Sequence, residues 1–304
     1  MPSTVERLTR RGLISPPSWL VSNVMYETVM GSVAFGVSTD ISDFDTLGFC
    51  IPPKDIVFPH LAGRIVGFGR QQQRFSCYQK HHVLADDELG GKGRVYDLNV
   101  YNIVHYFHLC MENNPNMLAS LFTPQDCVLH STTVANMVRD KRKIFLHKGV
   151  WHRFKGYAYN QLHKMKTKTP EAGSKRALIV QRYGYDVKFA YHVVRLLDEV
   201  EQILAEGDLD IRRNRAQLKA IRRGEVSEEE IYQWASDKEK SLERLYETSK
   251  LPYGPDETAI KRLLLECLEE HWGSLDGAVV LNDTPIIVLR ELASIIDRNR
   301  HLLG

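Results

Sequence analysis

The chain has 304 residues, of which 43% are hydrophobic and 26% charged, a composition that excludes a disordered chain. Lys and Arg total 40 against 38 Asp and Glu, a formal net charge of +2, which excludes a protein that binds nucleic acid through bulk positive charge. No run of 18 apolar residues occurs and no apolar stretch follows Met1–Arg11, so neither a membrane span nor a secretory leader is expected. Five widely spaced cysteines without a C-x-x-C pair predict a reduced, cytoplasmic protein with no disulfide framework and no zinc knuckle.

In chain order, Val24–Met30, Leu47–Ile51, Arg64–Phe68 and Val95–Leu98 are strand-like by their β-branched and aromatic content. Turn residues separate them, among them Gly31-Ser32, Pro52-Pro53 and the Gly-rich acidic stretch Asp86–Gly93. After Asp97 the pattern becomes helical, with Val100, Ile103, Val104, Phe107 and Met111 on one face and Asn114-Pro115 as the stop. A short helix over Asn116–Phe122 follows. Beyond it the periodicity predicts helices over Val134–Phe145, Val150–Lys166, Asp186–Glu206, Asp210–Ile221, Ser227–Thr248, Glu257–Glu270 and Thr284–Asn299. The expected architecture is α+β: an N-terminal domain over residues 1–135 with a small mixed sheet, then an α-helical domain over residues 136–304.

One segment carries chemistry. Met30-Gly31-Ser32 ends a strand, a short turn or helix follows, and Asp43-Phe44-Asp45 opens the next strand. Residues i and i+2 of a strand face the same side, about 6.6 Å apart, so both carboxylates project together. That spacing suits a pair of Mg²⁺ (or Mn²⁺) ions, which take few protein carboxylates and complete their shells with water and phosphate oxygens. Gly31 permits close approach of a phosphate to the backbone. The amides of Ser32 and Val33 open a helix where anions are favoured, and the Ser32 hydroxyl can donate to a phosphate oxygen. Asp97, on the next clear strand, is the candidate third metal ligand and general base; its alternative is a helix N-cap.

Gly31-Ser32 with the downstream Asp43-x-Asp45 and a later strand Asp97 resembles the DNA polymerase β superfamily of nucleotidyltransferases. More narrowly, the chain is similar to the bacterial and phage branch associated with RNA repair. Gly36, Ser42, the Asn114-Pro115 helix stop, the run Tyr183–Leu197 and the Pro-containing linker Leu251–Asp256 support this, from about residue 20 to 270. Ala119 departs from the pattern, since some relatives carry a Glu there. The resemblance implies a nucleotidyltransferase palm followed by a helical domain, with a nucleoside triphosphate and Mg²⁺ in the cleft between them. It implies transfer of a nucleoside monophosphate to an acceptor hydroxyl, such as a tRNA or another RNA end, with Asp43, Asp45 and Asp97 as metal ligands. Gly31, Ser32, Ser42, Lys188, His192 and Arg195 form the implied nucleotide-binding set. Two further classes share this cleft: a non-catalytic nucleotide or RNA binder, and a transferase acting on a protein or small molecule.

Lys188, His192 and Arg195 fall at i, i+4 and i+7, beside an apolar stripe of Val187, Tyr191, Val194 and Leu197. This reads either as a solvated helix face or as a phosphate clamp. Tyr157 and Tyr159 among Lys155, Gln161, His163 and Lys164 could stack on a base or simply pack. His81-His82 reads as a solvated loop pair and not as a metal site. The cluster Arg212, Arg213, Arg215, Lys219, Arg222 and Arg223 reads as a solvated helix face, and as the first surface to test if the substrate is RNA.

Overall fold

A computed structural model describes residues 2–38, 43–58, 74–88 and 91–273, together with 289, 292–296 and 298–299. Among the described residues five strands form one mixed sheet: β1 (Val24–Val29), β2 (Phe44–Cys50), β3 (Cys77–Ala85), β4 (Arg94–Asn102) and β5 (Val128–Ser131), in the order β3-β4-β2-β1-β5. β2 and β4 run parallel, and the other neighbours are antiparallel. Four short helices belong to this region: α1 (Thr4–Arg10), α2 (Leu20–Asn23), α3 (Gly31–Ala34) and α4 (Lys54–Val57). After β4 come α5 (Ile103–Met111), α6 (Pro115–Leu121) and α7 (Thr133–Asp140). The helical part then contains α8 (Gly149–Thr167), α9 (Lys175–Tyr183), α10 (Val187–Glu206), α11 (Arg215–Arg222), α12 (Glu228–Thr248) and α13 (Glu257–Trp272). The expected α+β class is the one observed.

Alternation within the strands assigns the two faces of the sheet. Tyr96, Leu98 and Val100 of β4 join Cys50 of β2 and Val5, Leu8 and Leu20 in one buried cluster. Phe49, Tyr26 and Tyr106 belong to a larger cluster that continues through Phe154, Tyr191 and Leu268. The sheet and the C-terminal helices therefore share one core. α10 forms its centre, packed against both α8 and α12, and α13 returns to the N-terminal region, where the His271 ring meets Asn23 Oδ1 at 3.0 Å.

Several boundaries differ from the periodicity. The helix expected from Val100 begins at Ile103, because β4 stays paired with β2 through Asn102, whose side chain then caps α5 by accepting the Val104 amide at 2.9 Å. β3 and β5 were not expected as strands, and α9 was not expected as a helix. β3 lies at a sheet edge with most of its central side chains exposed, so it lacks an apolar stripe. The helix expected over Asp210–Ile221 is confined to Arg215–Arg222. Asp186 and Ser227 stand outside their helices as N-caps. The strand expected over Arg64–Phe68 lies outside the described residues, as does most of Thr284–Asn299, of which 292–296 are helical.

Glu27 of β1 is fully buried, and its carboxylate accepts the amides of Thr4 at 2.5 Å and Val5 at 3.3 Å, at the start of α1. Those amides have no partner within the helix. Burial raises the Glu27 pKa, yet the two hydrogen bonds tie α1 to the sheet. Glu27→Ala is expected to lose about 2–4 kcal/mol in urea denaturation, whereas Glu27→Gln retains an acceptor and should lose less.

Candidate active site

β1 ends at Val29; the next residue, Met30, donates its amide to the Asp45 carbonyl at 2.8 Å, and the chain turns at once into α3. Gly31 has φ +62°, and a Cβ placed there would lie 2.1 Å from Asp45 Oδ2. Only glycine meets both conditions, left-handed backbone and contact with a carboxylate. No side chain caps α3, which leaves its first amides for other acceptors. Gly31 and Ser32 border a cleft of about 620 Å³ that also meets Asp43, Asp45, Asp97, His81, Asn99, Lys188, Tyr191, His192 and Arg222.

Asp97 is not a helix cap. It sits within β4, directly beside Asp45 in the parallel register, so the two carboxylates share one face. Burial raises the Asp45 pKa, Asp97 and then Asp43 add to the rise, and Lys188 and His81 oppose it. Among the described residues no group of three or more His, Cys, Asp or Glu side chains is gathered closely enough to hold a metal ion as it stands. Asp43, Asp45 and Asp97 line one cleft as an open set of carboxylates, faced by Lys188 and His81, and could together hold a divalent ion that brings its own water and phosphate ligands.

β3 contributes what the sequence concealed. Its register slips against β4 between Lys80 and Val83, with His82 at φ +56°. This bulge brings the His82 amide to Asp97 Oδ1 at 2.7 Å and His81 Nδ1 to 3.6 Å from the same oxygen. The pair is solvent-exposed, as expected, but it lies on a strand and not a loop, and it contacts Asp97 through the His82 amide and the His81 ring. An exposed edge strand interrupted by two polar residues is the signal that could have suggested a bulge.

The other wall comes from α10 and α11. Lys188, at the start of α10, is exposed in the cleft and close enough to Asp45 to depress its pKa. His192 lines the same wall, but burial and the charges of Arg195, Lys188, Arg176 and Arg222 push its pKa down to about 2. It is therefore a neutral imidazole among cations, not a charged member of a clamp. Arg195 is buried, its guanidinium 4.5 Å from the Phe35 ring and its Nε 3.9 Å from Glu199, and it is absent from the cleft lining. Arg222, by contrast, lines the cleft and lies 5.8 Å from the Tyr191 ring. Ser42 lies outside the described residues.

Two other expectations resolve locally. Tyr159 donates to Glu239 at 2.6 Å, and Lys155 pairs with Glu239 at 2.6 Å, which ties α8 to α12. In the basic cluster Arg213, Arg215, Lys219 and Arg223 are exposed, as expected, while Arg212 and Arg222 turn inward.

The His192 assignment carries a pH test. Its folded pKa is lowered, so the unfolded chain takes up a proton below about 6.5 that the folded chain refuses. This opposes folding increasingly from about pH 6.5 downward. His192→Gln is expected to stabilise the protein at pH 5 relative to its effect at pH 8, measured by thermal denaturation. Equal effects at both values would contradict a neutral imidazole.

Residues 7–266 match the protein family RlaP, described as the RNA repair pathway DNA polymerase beta family. No curated protein matches this chain. Among solved structures, a crystal structure of a nucleotidyltransferase-like protein from Exiguobacterium sibiricum 255-15 aligns at 12% identity, covering 98% of this chain and 91% of that one, with a TM-score of 0.27. No described helix is long and apolar enough to cross a membrane. With the family match spanning most of its length, this chain belongs to the RNA repair pathway DNA polymerase beta family, whose type is that of a nucleotidyltransferase.

Proposed function

We propose that the protein transfers a nucleoside monophosphate from a nucleoside triphosphate to an acceptor hydroxyl on an RNA end, releasing pyrophosphate. The observation that carries this reading is the juxtaposition of Asp45 and Asp97 across β2 and β4, with Asp43 adjoining and the cations Lys188 and Arg222 on the same cleft. Acids gathered at one wall suit a metal, and cations at the other suit a polyanion. The family's RNA-repair description favours an RNA acceptor.

Asp43, Asp45 and Asp97 would hold Mg²⁺ or Mn²⁺, which supplies Lewis-acid polarisation of the phosphoryl oxygens and acidifies a bound hydroxyl. The protein's own groups do the rest. Gly31 and Ser32 receive the distal phosphates on the open amides of α3 and the Ser32 hydroxyl. Lys188 and Arg222 balance negative charge as pyrophosphate departs. The His82 amide already donates to Asp97 Oδ1, which favours Oδ2 as the oxygen that would take the acceptor's proton. His192, being neutral, can offer a hydrogen bond without competing for charge.

The test is incubation of purified protein with Mg²⁺ and each α-labelled nucleoside triphosphate, in one reaction with a pool of small RNAs and in a parallel one with cell extract. Label on RNA with wild-type protein, and none with Asp43→Asn, is the expected result. Label on a protein or small molecule would reject RNA as the acceptor. Tight nucleotide binding without any labelled product would reject transfer altogether and leave a binder.

A further inference from the structure

The turn that follows β1 is fastened from outside the sheet. Within it, Phe35 donates to the Gly31 carbonyl at 3.3 Å, Gly36 to Val33 at 3.0 Å and Val37 to Ser32 at 2.9 Å. The carbonyls of Ala34 and Val37 accept instead from arginines of the helical region. Arg212 Nε donates to Ala34 O at 2.9 Å, and Arg222 Nη1 donates to Val37 O at 3.0 Å. Cationic donors at the end of a helical turn satisfy carbonyls that the turn itself leaves open.

Each arginine is braced in turn. Arg212 Nη1 pairs with Asp126 at 2.8 Å and its Nη2 meets Cys127 Sγ at 3.0 Å, so one guanidinium joins α3 to the segment before β5. Arg222 lies over Tyr191 of α10. Arg195, over Phe35, closes the same turn from a third side. The immediate neighbours do none of this: Arg213 pairs with Glu206 at 2.8 Å and Arg223 with Glu225 at 2.9 Å, both exposed. Two pairs of adjacent arginines are thus split, one member inward and one outward.

We propose that Arg212 and Arg222 are positioning residues for nucleotide binding: they hold the Gly31–Val37 turn in the shape that presents its amides to phosphate. The inference rests on the nucleotidyltransferase reading above. It makes the helical region part of the nucleotide site even where it does not touch the nucleotide, since Arg212 is absent from the cleft lining.

Four variants test it: R212A and R222A against R213A and R223A, which remove the same charge from adjacent positions. Amide hydrogen exchange at residues 35–37 is measured on the whole chain, along with KM and kcat for ATP, GTP, CTP and UTP with Mg²⁺. R212A and R222A are expected to exchange these amides about 10-fold faster, as local opening becomes easier. R212A should raise KM about 10-fold with kcat changed less than about 3-fold, the pattern of lost ground-state binding. R213A and R223A should match wild type in both. Unchanged exchange and KM in a folded R212A would overturn the proposal, as would equal effects in all four variants, which would mark a general charge effect. Wild-type protein that uses and binds no nucleotide would defeat the functional reading instead, and the exchange comparison alone would then decide whether these arginines hold the turn. Should R212A fail to fold, R212K supplies the comparison, because Arg222 lines the cleft itself and its loss would also remove a charge from the site.

Discussion

Asp45→Asn is expected to eliminate nucleotide transfer while making the metal-free protein more stable at neutral pH. Burial, Asp97 and Asp43 all raise the Asp45 pKa, so the folded state disfavours the ionised form that the reaction needs. A carboxylate whose folded pKa lies above its unfolded value releases its proton less readily when folded. Stability is then lost as pH rises through the folded pKa. Asparagine carries no such penalty. In buffer with a chelator, the variant's Tm should exceed that of wild type at pH 7 by about 1–4 °C, and the difference should vanish towards pH 3. Added Mg²⁺ should raise the Tm of wild type and leave the variant unmoved. On the proposed mechanism activity should fall by about 10³-fold or more, since this carboxylate would hold the metal that supplies several kcal/mol of charge stabilisation. A variant less stable than wild type at pH 7 would show that Asp45 serves the fold; one retaining a tenth of the activity would remove it from the chemistry.

Which parts of the site were legible in the sequence depends on how local they are. Gly31-Ser32 and Asp43-x-Asp45 are local: turn, strand and spacing lie within 15 residues, and strand alternation alone puts both acids on one side. Asp97 was legible as a strand acid, but its partnership with Asp45 depends on β2 and β4 running parallel, which no local pattern states. The His81–His82 bulge was hidden for the same reason, since a bulge exists only relative to its partner strand. The α10 stripe was misleading in part. Lys188, His192 and Arg195 share a helical face, but their depth differs along the helix: Lys188 reaches the cleft, whereas Arg195 is sealed beneath Phe35. Periodicity reports direction around an axis and says nothing of what covers each turn. Likewise the basic run around Arg212–Arg223 has a composition that suggests solvent, while the acceptors that draw two of its members inward are carbonyls some 180 residues earlier.

Gly31→Ala should couple the fold to the site most directly. Two costs combine at this position. An L-residue at φ +62° is left-handed, at about 1–2 kcal/mol, and the new methyl would stand 2.1 Å from Asp45 Oδ2, so the carboxylate or the turn must move. Destabilisation of about 1–3 kcal/mol is expected, a fall in Tm of about 2–9 °C. On the proposed mechanism the catalytic loss should be larger, about 10²-fold in kcat/KM, because displacing by an ångström a carboxylate that would hold the metal disturbs the reacting geometry. A double-mutant cycle separates the two costs. In an Asp45→Ala background the oxygen is gone, so adding Gly31→Ala should cost only the backbone term, and the two substitutions should be non-additive by about 1 kcal/mol or more in urea denaturation. Strict additivity would mean that Gly31 and Asp45 do not touch, and that the glycine serves the turn alone. The expected coupling would instead tie them into one device, in which the absence of a side chain at Gly31 makes room for the acid beside it.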